Sequence, residues 1–162
     1  MIKVLMVLFS ACAILLGSDL ISAEKTFAMI KPDAVTGHKV GHIVARIEEE
    51  GFEIKAMKMI QMTKEQATEF YGALKDQPFF PELVRDMTAS PVVVMVIEGE
   101  NAIERYRKLM GATDPMKASP GTLRGDFGLN VGKNAVHGSD SQETAVQEIN
   151  FFFGSNEIHS RE

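Results

Sequence analysis

Apolar residues between positions 24 and 153 recur at two spacings, which divide this part of the chain into strands and helices. Alternation with polar residues, or a short continuous apolar run, predicts strands at residues 25–30, 53–62, 91–97 and 131–136. Recurrence every three or four residues predicts helices at residues 40–50, 64–74, 78–87, 101–110 and 141–150. Strands that alternate with helices in this way are typical of an α/β sandwich.

Local signals define several boundaries of these elements. Pro32 cannot donate a hydrogen bond to a sheet, so the first strand ends before it and the chain turns at residues 31–33. Gly51 ends the first helix, and Thr63 with Gln66 predicts a capping box at the start of the second. Residues 111–129 are rich in Gly, Pro, Thr and Ser and predict a long loop, which at this length is usually functional.

The first 23 residues differ from the rest of the chain. Lys3 precedes a run of apolar residues from position 4 to position 16, interrupted only by Ser10. This run is too short for a comfortable membrane span, but it suits the apolar region of a signal peptide, with Ala23 at a plausible cleavage point. One alternative is a misassigned start, with initiation at Leu20 or Ile21, and another is a lipoprotein-type leader around Cys12. The sequence leaves these interpretations open.

Composition excludes some classes of function. The 162 residues include 45% hydrophobic and 24% charged residues, which are ordinary proportions for one globular domain. The net charge is −5, whereas a general nucleic-acid-binding protein needs a basic face.

Cys12 is the single cysteine, so no internal disulfide can form. His38 and His42 have the spacing of a helical zinc pair, but no glutamate lies between them, and we interpret them as solvated.

The candidate chemistry centres on His137, in the octapeptide Asn-Ala-Val-His-Gly-Ser-Asp-Ser. It follows a predicted strand and precedes a predicted helix start, with Asp140 as N-cap and Glu143 completing a capping box. An imidazole beside a helix N-terminus can attack phosphorus when a partner fixes its tautomer. Glu148 and Ser139 are candidates for that partner. The alternative is a histidine that only satisfies hydrogen bonds at a strand end.

A phosphorylated substrate would also require positive charges. The chain has no G-x-x-x-x-G-K-[ST] loop, so the charges must come from separate elements. The candidates are Lys31, Arg107 and Arg124, and the planar guanidinium of arginine can hold two phosphate oxygens at once. Thr113 adds a hydroxyl in the long loop. Taken singly, a cation of this kind is more often a solvated surface charge than a ligand of phosphate.

Five blocks of sequence, in this order and at these spacings, together resemble one family. They are Thr-Phe-Ala-Met-Ile-Lys-Pro-Asp (26–33), Lys-Asp-Gln-Pro-Phe-Phe (75–80), Gly-Ala-Thr-Asp-Pro (111–115), Pro-Gly-Thr-Leu-Arg-Gly-Asp (120–126) and Asn-x-x-His-Gly-Ser-Asp-Ser (134–141). The pattern extends over residues 25–153 and is similar to that of nucleoside diphosphate kinases. One departure is Asp114, which stands where an asparagine is more usual in the family.

The resemblance implies a kinase domain over residues 24–162, with a ferredoxin-like βαββαβ core, a four-stranded antiparallel sheet and added helices. It implies a homo-oligomer, either a tetramer or a hexamer, that binds nucleoside tri- and diphosphates and no nucleic acid. A Mg²⁺ ion is expected to be held mainly by the nucleotide phosphates.

Because ATP is supplied in the cytoplasm, a cytoplasmic location is expected. Export through residues 1–23 is the alternative, and membrane contact is expected only if that leader functions.

The resemblance also implies a ping-pong reaction. His137 would attack the γ-phosphorus of ATP or another triphosphate, and the phosphohistidine would then transfer its phosphoryl group to a diphosphate. The nucleotide-binding positions of the family correspond to Lys31, Phe79, Arg107, Thr113, Arg124 and Asn134. Among these, Phe79 would stack on the base, and Asn134 would bind the sugar or a phosphate. Tyr71 matches a family position near the phosphates, and Glu148 and Ser139 would orient His137.

A second hypothesis is a phosphohistidine-bearing regulatory or binding module of the same fold. Such a module would not turn over free nucleotides, whereas an enzyme would. The complete set of phosphate and base positions in the sequence favours the enzyme.

Overall fold

Four strands form one antiparallel sheet. The structure is a computed structural model that describes residues 23–160, so the leader predicted for residues 1–23 lies outside the described residues except for Ala23. The strands are β1 (Glu24–Ile30), β2 (Glu53–Ile60), β3 (Val92–Gly99) and β4 (Val136–Gly138). Their order in the sheet is β2-β3-β1-β4. The predicted four-stranded antiparallel sheet is therefore confirmed.

The described residues also form seven α-helices and three short 3₁₀ turns. The helices are α1 (Pro32–Thr36), α2 (Val40–Glu49), α3 (Lys64–Phe70), α4 (Phe80–Thr88), α5 (Ala102–Met110), α6 (Leu123–Phe127) and α7 (Gln142–Phe152). The 3₁₀ turns are Gly72–Leu74, Pro115–Lys117 and Ser155–Glu157. None of these helices has the length and apolar content needed to cross a membrane.

Side chains of β1 alternate between two hydrophobic cores. Ala28 and Ile30 pack on the face covered by α2 and α5. Phe27 and Met29 pack on the opposite face, which is covered by α3, α4 and α7. Successive residues of a strand point to opposite faces, so a strand buried on both faces is apolar at nearly every position. This explains the almost continuous apolar runs of β1 and β3.

Pairing of the inner strands brings distant residues of the sequence together. β1 pairs with β3 along its whole length, and on its other side Met29 is opposite His137 of β4. Directly after β1, the amide of Lys31 donates to the carbonyl of Ala135 at 2.8 Å. Lys31 and His137, which are far apart in sequence, therefore lie at the same edge of the sheet.

Two segments that were predicted as irregular contain helices. The turn predicted at residues 31–33 continues into α1, since Pro32 occupies a first-turn position where its missing N–H has no cost. The loop predicted over residues 111–129 contains a 3₁₀ turn and α6. Asp114 accepts from the amide of Met116 at the start of the former, and Thr122 accepts from the amide of Gly125 at the start of the latter. The 3₁₀ turn and α6 therefore begin at side-chain caps, which apolar periodicity does not reveal.

The strand predicted at residues 131–136 was placed too early. The amide of Leu129 donates to the carbonyl of Lys133, and the side chain of Asn130 accepts from the amides of Gly132 and Lys133. This turn leaves Val131 more than half exposed, so the strand begins only at Val136. Asparagine and glycine turn chemistry determines the backbone here, although the apolar residues favoured a strand. His137 lies within β4 rather than beyond its end.

The predicted N-cap of the last helix was also wrong by one residue. Ser141, not Asp140, caps α7, and it forms its capping box with Thr144 rather than with Glu143. The carboxylate of Asp140 instead accepts from the hydroxyl of Thr144 at 2.8 Å. The capping box predicted for Thr63 and Gln66 at the start of α3 is confirmed.

Gly138 in β4 lies against a buried ring, which predicts a large effect of a small substitution. A Cβ atom at this position would lie 2.6 Å from Cε1 of Tyr106, a residue with no solvent exposure. We expect Gly138→Ala to lower the free energy of unfolding by about 1–3 kcal/mol through overpacking, measured by urea denaturation.

Gly41 provides the matched control, because a Cβ atom there would meet nothing within 4 Å. In helix α2, Gly41→Ala should raise the free energy of unfolding by up to about 1 kcal/mol. Equal effects of the two substitutions would contradict the packing described for Gly138.

Candidate active site

A cleft of about 1000 Å³ opens at the edge of the sheet where β1 and β4 meet the helices α3, α4 and α7. Nine of the ten residues predicted for the site line this cleft: Lys31, Tyr71, Phe79, Arg107, Thr113, Arg124, Asn134, His137 and Glu148. The tenth, Ser139, lies behind the cleft wall and is 1% exposed. Residues that are spread along the chain from position 31 to position 148 therefore converge on one cavity.

One nitrogen of the His137 ring is held and the other is free. Nε2 lies 2.8 Å from Oε1 of Glu148 on α7. The other carboxylate oxygen of Glu148 accepts from the hydroxyl of Ser139 at 2.6 Å. Because a carboxylate can only accept, the ring proton belongs on Nε2 and the lone pair on Nδ1. Within residues 23–160, Nδ1 has no hydrogen-bond partner, so it is available as a nucleophile.

Lys31 is a buried cation at the inner end of the cleft. Its ammonium donates to the carbonyl of Gly132 at 2.7 Å and to Oδ1 of Asn134 at 2.9 Å. The amide of the Asn134 side chain donates in turn to the carbonyl of Thr113 at 2.9 Å. Burial lowers the pKa of Lys31 to about 8, with a smaller lowering by the charge of Arg124 and a partial offset by nearby carboxylates, first Asp33. Both of these hydrogen-bond acceptors of the ammonium are uncharged. Its third N–H group has no acceptor among the described residues and can bind an anion.

Arg124 directs its guanidinium toward the start of β4. Nη1 donates to the carbonyl of Gly111 at 3.0 Å and Nη2 to that of Val136 at 3.2 Å. Its Nε is buried without a partner among the described residues. Burial lowers the pKa of Arg124, and repulsion from Arg107 lowers it further. Two guanidinium groups that repel each other across a cleft favour the binding of an anion between them.

The two aromatic candidates occupy different environments. Phe79 precedes α4 at the mouth of the cleft and is 51% exposed, whereas its neighbour Phe80 packs against the core. A half-exposed ring beside a cleft offers a flat surface for stacking. Tyr71 is buried, its ring lies 6.1 Å from that of His137, and its hydroxyl contacts the sulfur of Met29 at 4.0 Å. Burial raises the pKa of Tyr71, so the hydroxyl stays protonated.

Comparison with known proteins gives the family. A sequence model described as nucleoside diphosphate kinase matches residues 24–158. The chain belongs to the nucleoside diphosphate kinase family. It is 53% identical over 140 residues to nucleoside diphosphate kinase 1 of Protochlamydia amoebophila, covering 86% of this chain and 99% of that protein. It is 55% identical over 135 residues to the nucleoside diphosphate kinase of Nitratiruptor sp., covering 83% and 98%.

Solved structures of nucleoside diphosphate kinases have the same fold. The Aquifex aeolicus enzyme superposes with a TM-score of 0.82 at 46% identity, covering 85% of this chain and 99% of that one. The Halobacterium salinarum enzyme, solved in complex with CDP, superposes with a TM-score of 0.84 at 41% identity, covering 87% and 94%. The ferredoxin-like fold predicted from the family resemblance is therefore confirmed.

The nucleoside diphosphate kinase motifs identified the cleft residues but not all of the contacts that hold them. Asp33 accepts from the amide of Ala135 at 2.9 Å, where the backbone has a φ of +66°. This bond supports the unusual backbone just before β4. Phe70 was also missed, although its ring is nearest to His137 among the described aromatic contacts. His38 and His42 belong to no group of three metal-ligating side chains within the described residues.

The buried ammonium of Lys31 predicts a pH dependence of stability. Its pKa is about 8 in the folded protein, compared with an ordinary value of 10.5. Between these pH values the unfolded chain keeps a proton that the folded chain has released, so the folded state gains stability as the pH rises through this window. Relative to Lys31→Met, the wild type should gain on the order of a few kcal/mol in free energy of unfolding between pH 8 and pH 10.5.

Urea denaturation of both proteins from pH 6 to pH 10.5 measures this difference. Below pH 7 the difference between the two curves should be constant, because Lys31 is then charged in both states. Parallel curves over the whole range would contradict the burial of a charged Lys31.

Proposed function

We propose that the protein transfers the γ-phosphate of a nucleoside triphosphate, mainly ATP, to a nucleoside diphosphate through a phosphohistidine at His137. The observation that carries the proposal is the free Nδ1 of a histidine whose Nε2 is held by Glu148, in a cleft that Lys31, Arg107 and Arg124 also line. Membership of the nucleoside diphosphate kinase family supports the same reaction.

In the first half-reaction the lone pair of Nδ1 forms a bond to the γ-phosphorus. The bond from that phosphorus to the bridging oxygen breaks, and the oxygen leaves with its electron pair on the diphosphate. The proton on Nε2 stays on the ring, so the positive charge that develops there lies beside the carboxylate of Glu148. In the second half-reaction an oxygen of the incoming diphosphate attacks the phosphorus, and Nδ1 recovers its lone pair.

Stabilisation of the transferred phosphoryl group falls to Lys31, Arg107 and Arg124. Phosphoryl transfer depends on positioning and on charge that matches the equatorial oxygens, with little covalent chemistry from the protein other than the nucleophile. Asn134 and Thr113 add polar groups next to Lys31. We assign Asn134 to the sugar or a phosphate and Tyr71 to the vicinity of the phosphates. Ser139 acts through Glu148 and does not touch the nucleotide.

Phe79 is proposed as the platform for the base. Its exposed ring has no polar atom, so it offers stacking and reads no base edge. This supports a broad range of nucleotides entering the same cleft in both half-reactions. The Halobacterium salinarum relative binds CDP, a pyrimidine diphosphate.

A Mg²⁺ ion is proposed as cofactor. The cationic side chains that line the cleft suit phosphate oxygens, and within the described residues no three His, Cys, Asp or Glu side chains form a group that could hold a metal ion. The residues therefore suit an ion that would enter with the nucleotide, with Lys31, Arg107 and Arg124 holding the phosphates. The ion would neutralise charge on the phosphates while keeping most of its water ligands.

The assembly and location are also proposals. We propose a homo-oligomer, a tetramer or a hexamer, on the basis of the family resemblance, and light scattering of the native protein would distinguish the two. We propose a cytoplasmic location because ATP is available there. Recovery of the native protein from the periplasm or medium, with Glu24 as its first residue, would show export through residues 1–23 instead.

Labelling with γ-³²P-ATP tests the mechanism. We expect label on the full-length protein that survives alkali and is lost in acid, and we expect none on His137→Ala. His42→Ala removes an exposed histidine of α2 and should label normally. Acid-stable label, or label on His137→Ala, would remove His137 as the phosphoryl acceptor. Labelling without subsequent transfer to dGDP or UDP would favour a regulatory module over an enzyme.

Arg124 and Phe79 should differ in the step that they affect. Arg124→Ala should lower the phosphorylation rate by roughly 10²–10³, because its charge matters most in the transition state. Phe79→Ala should weaken the binding of every nucleotide by ~1–3 kcal/mol, because stacking tolerates all bases.

Rapid-quench kinetics and calorimetric binding of ADP, GDP and CDP measure these two effects. Arg85→Ala, which removes an exposed arginine of α4, is the control for Arg124. An unchanged rate in Arg124→Ala, or a defect confined to one base in Phe79→Ala, would be inconsistent with these assignments.

A further inference from the structure

Phe70, the last residue of α3, is the centre of an aromatic cluster beside His137. Its ring contacts five others, with centroid distances between 4.9 and 5.8 Å: Phe27, Tyr71, His137, Phe151 and Phe152. No other residue in the described part of the chain has ring contacts with all of these partners. Phe70 is only partly buried, and it also forms part of the cleft wall.

Among the rings around the imidazole, that of Phe70 is nearest. Its centroid lies 5.3 Å from that of His137 with an interplanar angle of 71°. The rings of Phe27 and Tyr71 lie 6.1 Å away, at angles of 60° and 81°. The imidazole therefore contacts three aromatic rings, of which those of Phe70 and Tyr71 also line the cleft, and packed interiors leave little room for a ring to turn.

The orientation of the imidazole decides whether the reaction can occur. The hydrogen bond to Glu148 holds only one atom of the ring. A rotation about the Cα–Cβ bond would swing the whole ring out of its place and move Nε2 away from Glu148 and Nδ1 away from its position at the cleft. Reaction requires Nδ1 to be aligned with the γ-phosphorus at short range, and small displacements from such geometry are costly in rate.

We propose that Phe70 is a positioning residue that keeps the His137 imidazole turned with Nε2 on Glu148 and Nδ1 toward the cleft. It does not touch the reacting atoms, and it acts by occupying the space into which the imidazole would turn. This inference rests on the proposed role of His137 as the phosphoryl acceptor. The hydrogen bond that Nε2 donates to Glu148 selects the orientation, and the ring of Phe70 prevents the rotated side chain from being populated.

Two substitutions of Phe70 and one matched control test the proposal in the full-length protein. Phe70→Leu and Phe70→Met remove the flat ring but keep an apolar side chain of moderate size. Phe151→Leu is the control, because Phe151 contacts Phe70 and Phe152 in the same cluster but has no ring contact with His137 among the described residues. A purely structural role of the cluster would make all three variants alike.

The first measurement is the single-turnover rate of phosphohistidine formation at saturating ATP. We expect Phe70→Leu and Phe70→Met to be slower by roughly tenfold or more, because a misaligned nucleophile lowers the rate of the chemical step. Calorimetric ADP binding should stay at the wild-type value in both. Phe151→Leu should keep the wild-type rate, whatever its melting temperature.

The second measurement is the ¹⁵N NMR spectrum of protein labelled in its histidines, with His137 assigned by comparison with His137→Ala. The wild type should show one tautomer, with the proton on Nε2. The two Phe70 variants should show a mixture of tautomers or exchange broadening at His137, and Phe151→Leu should not.

Wild-type rates and a single tautomer in a folded Phe70 variant would overturn the proposal. So would an equal loss of rate in Phe70→Leu and Phe151→Leu. If Phe70→Leu does not fold, Phe70→Met is judged by the same criteria. If neither variant folds, exchange broadening of the His137 ¹⁵N signal in the wild type would overturn the proposal. Absence of label at His137 in the wild type would overturn the proposed phosphohistidine mechanism. This outcome differs from a failure of the proposal for Phe70, which the Phe70 variants decide.

Discussion

The hydrogen bond between Glu148 and Nε2 of His137 determines which nitrogen of the imidazole can react. Glu148 is itself oriented by Ser139, and the strand pairing of β4 with β1 holds the backbone that carries both His137 and Ser139. A carboxylate in this position stabilises the positive charge that forms on the ring as Nδ1 gains a third substituent. The chemistry therefore depends on one polar contact between a strand and the helix that follows it.

The cations of the cleft come from three different parts of the chain, and the sheet brings them together. Lys31 follows β1, Arg107 belongs to α5, and Arg124 belongs to α6. Burying Lys31 disfavours its charge, as its lowered pKa shows, but carbonyl and amide oxygens satisfy the ammonium without neutralising it. The ammonium and the two guanidinium groups therefore provide positive charge at the cleft for an incoming anion, which suits a site that must bind and release phosphates repeatedly.

Much of the fold could be predicted from the sequence, because the strands and long helices bury regular apolar patterns on the sheet. The pattern was misleading at Val131, where a turn centred on Asn130 overrides it. At α6 the decisive signal was the cap at Thr122, not periodicity.

The residues of the candidate site could likewise be named from motifs, and their roles remain predictions. Which imidazole nitrogen is held depends on side-chain rotamers in the folded chain. The place of Phe70 depends on tertiary packing, since in sequence an aromatic residue at a helix end looks like any core residue.

The alternation of β1 between two cores has a consequence for how the chain can change during evolution. Inserting or deleting one residue in this strand would exchange the sets of side chains that face α2 and α7, and it would also move Lys31 away from Asn134. No single compensating substitution could restore both. The length of β1 is therefore expected to tolerate no gaps, even where individual apolar residues are exchanged.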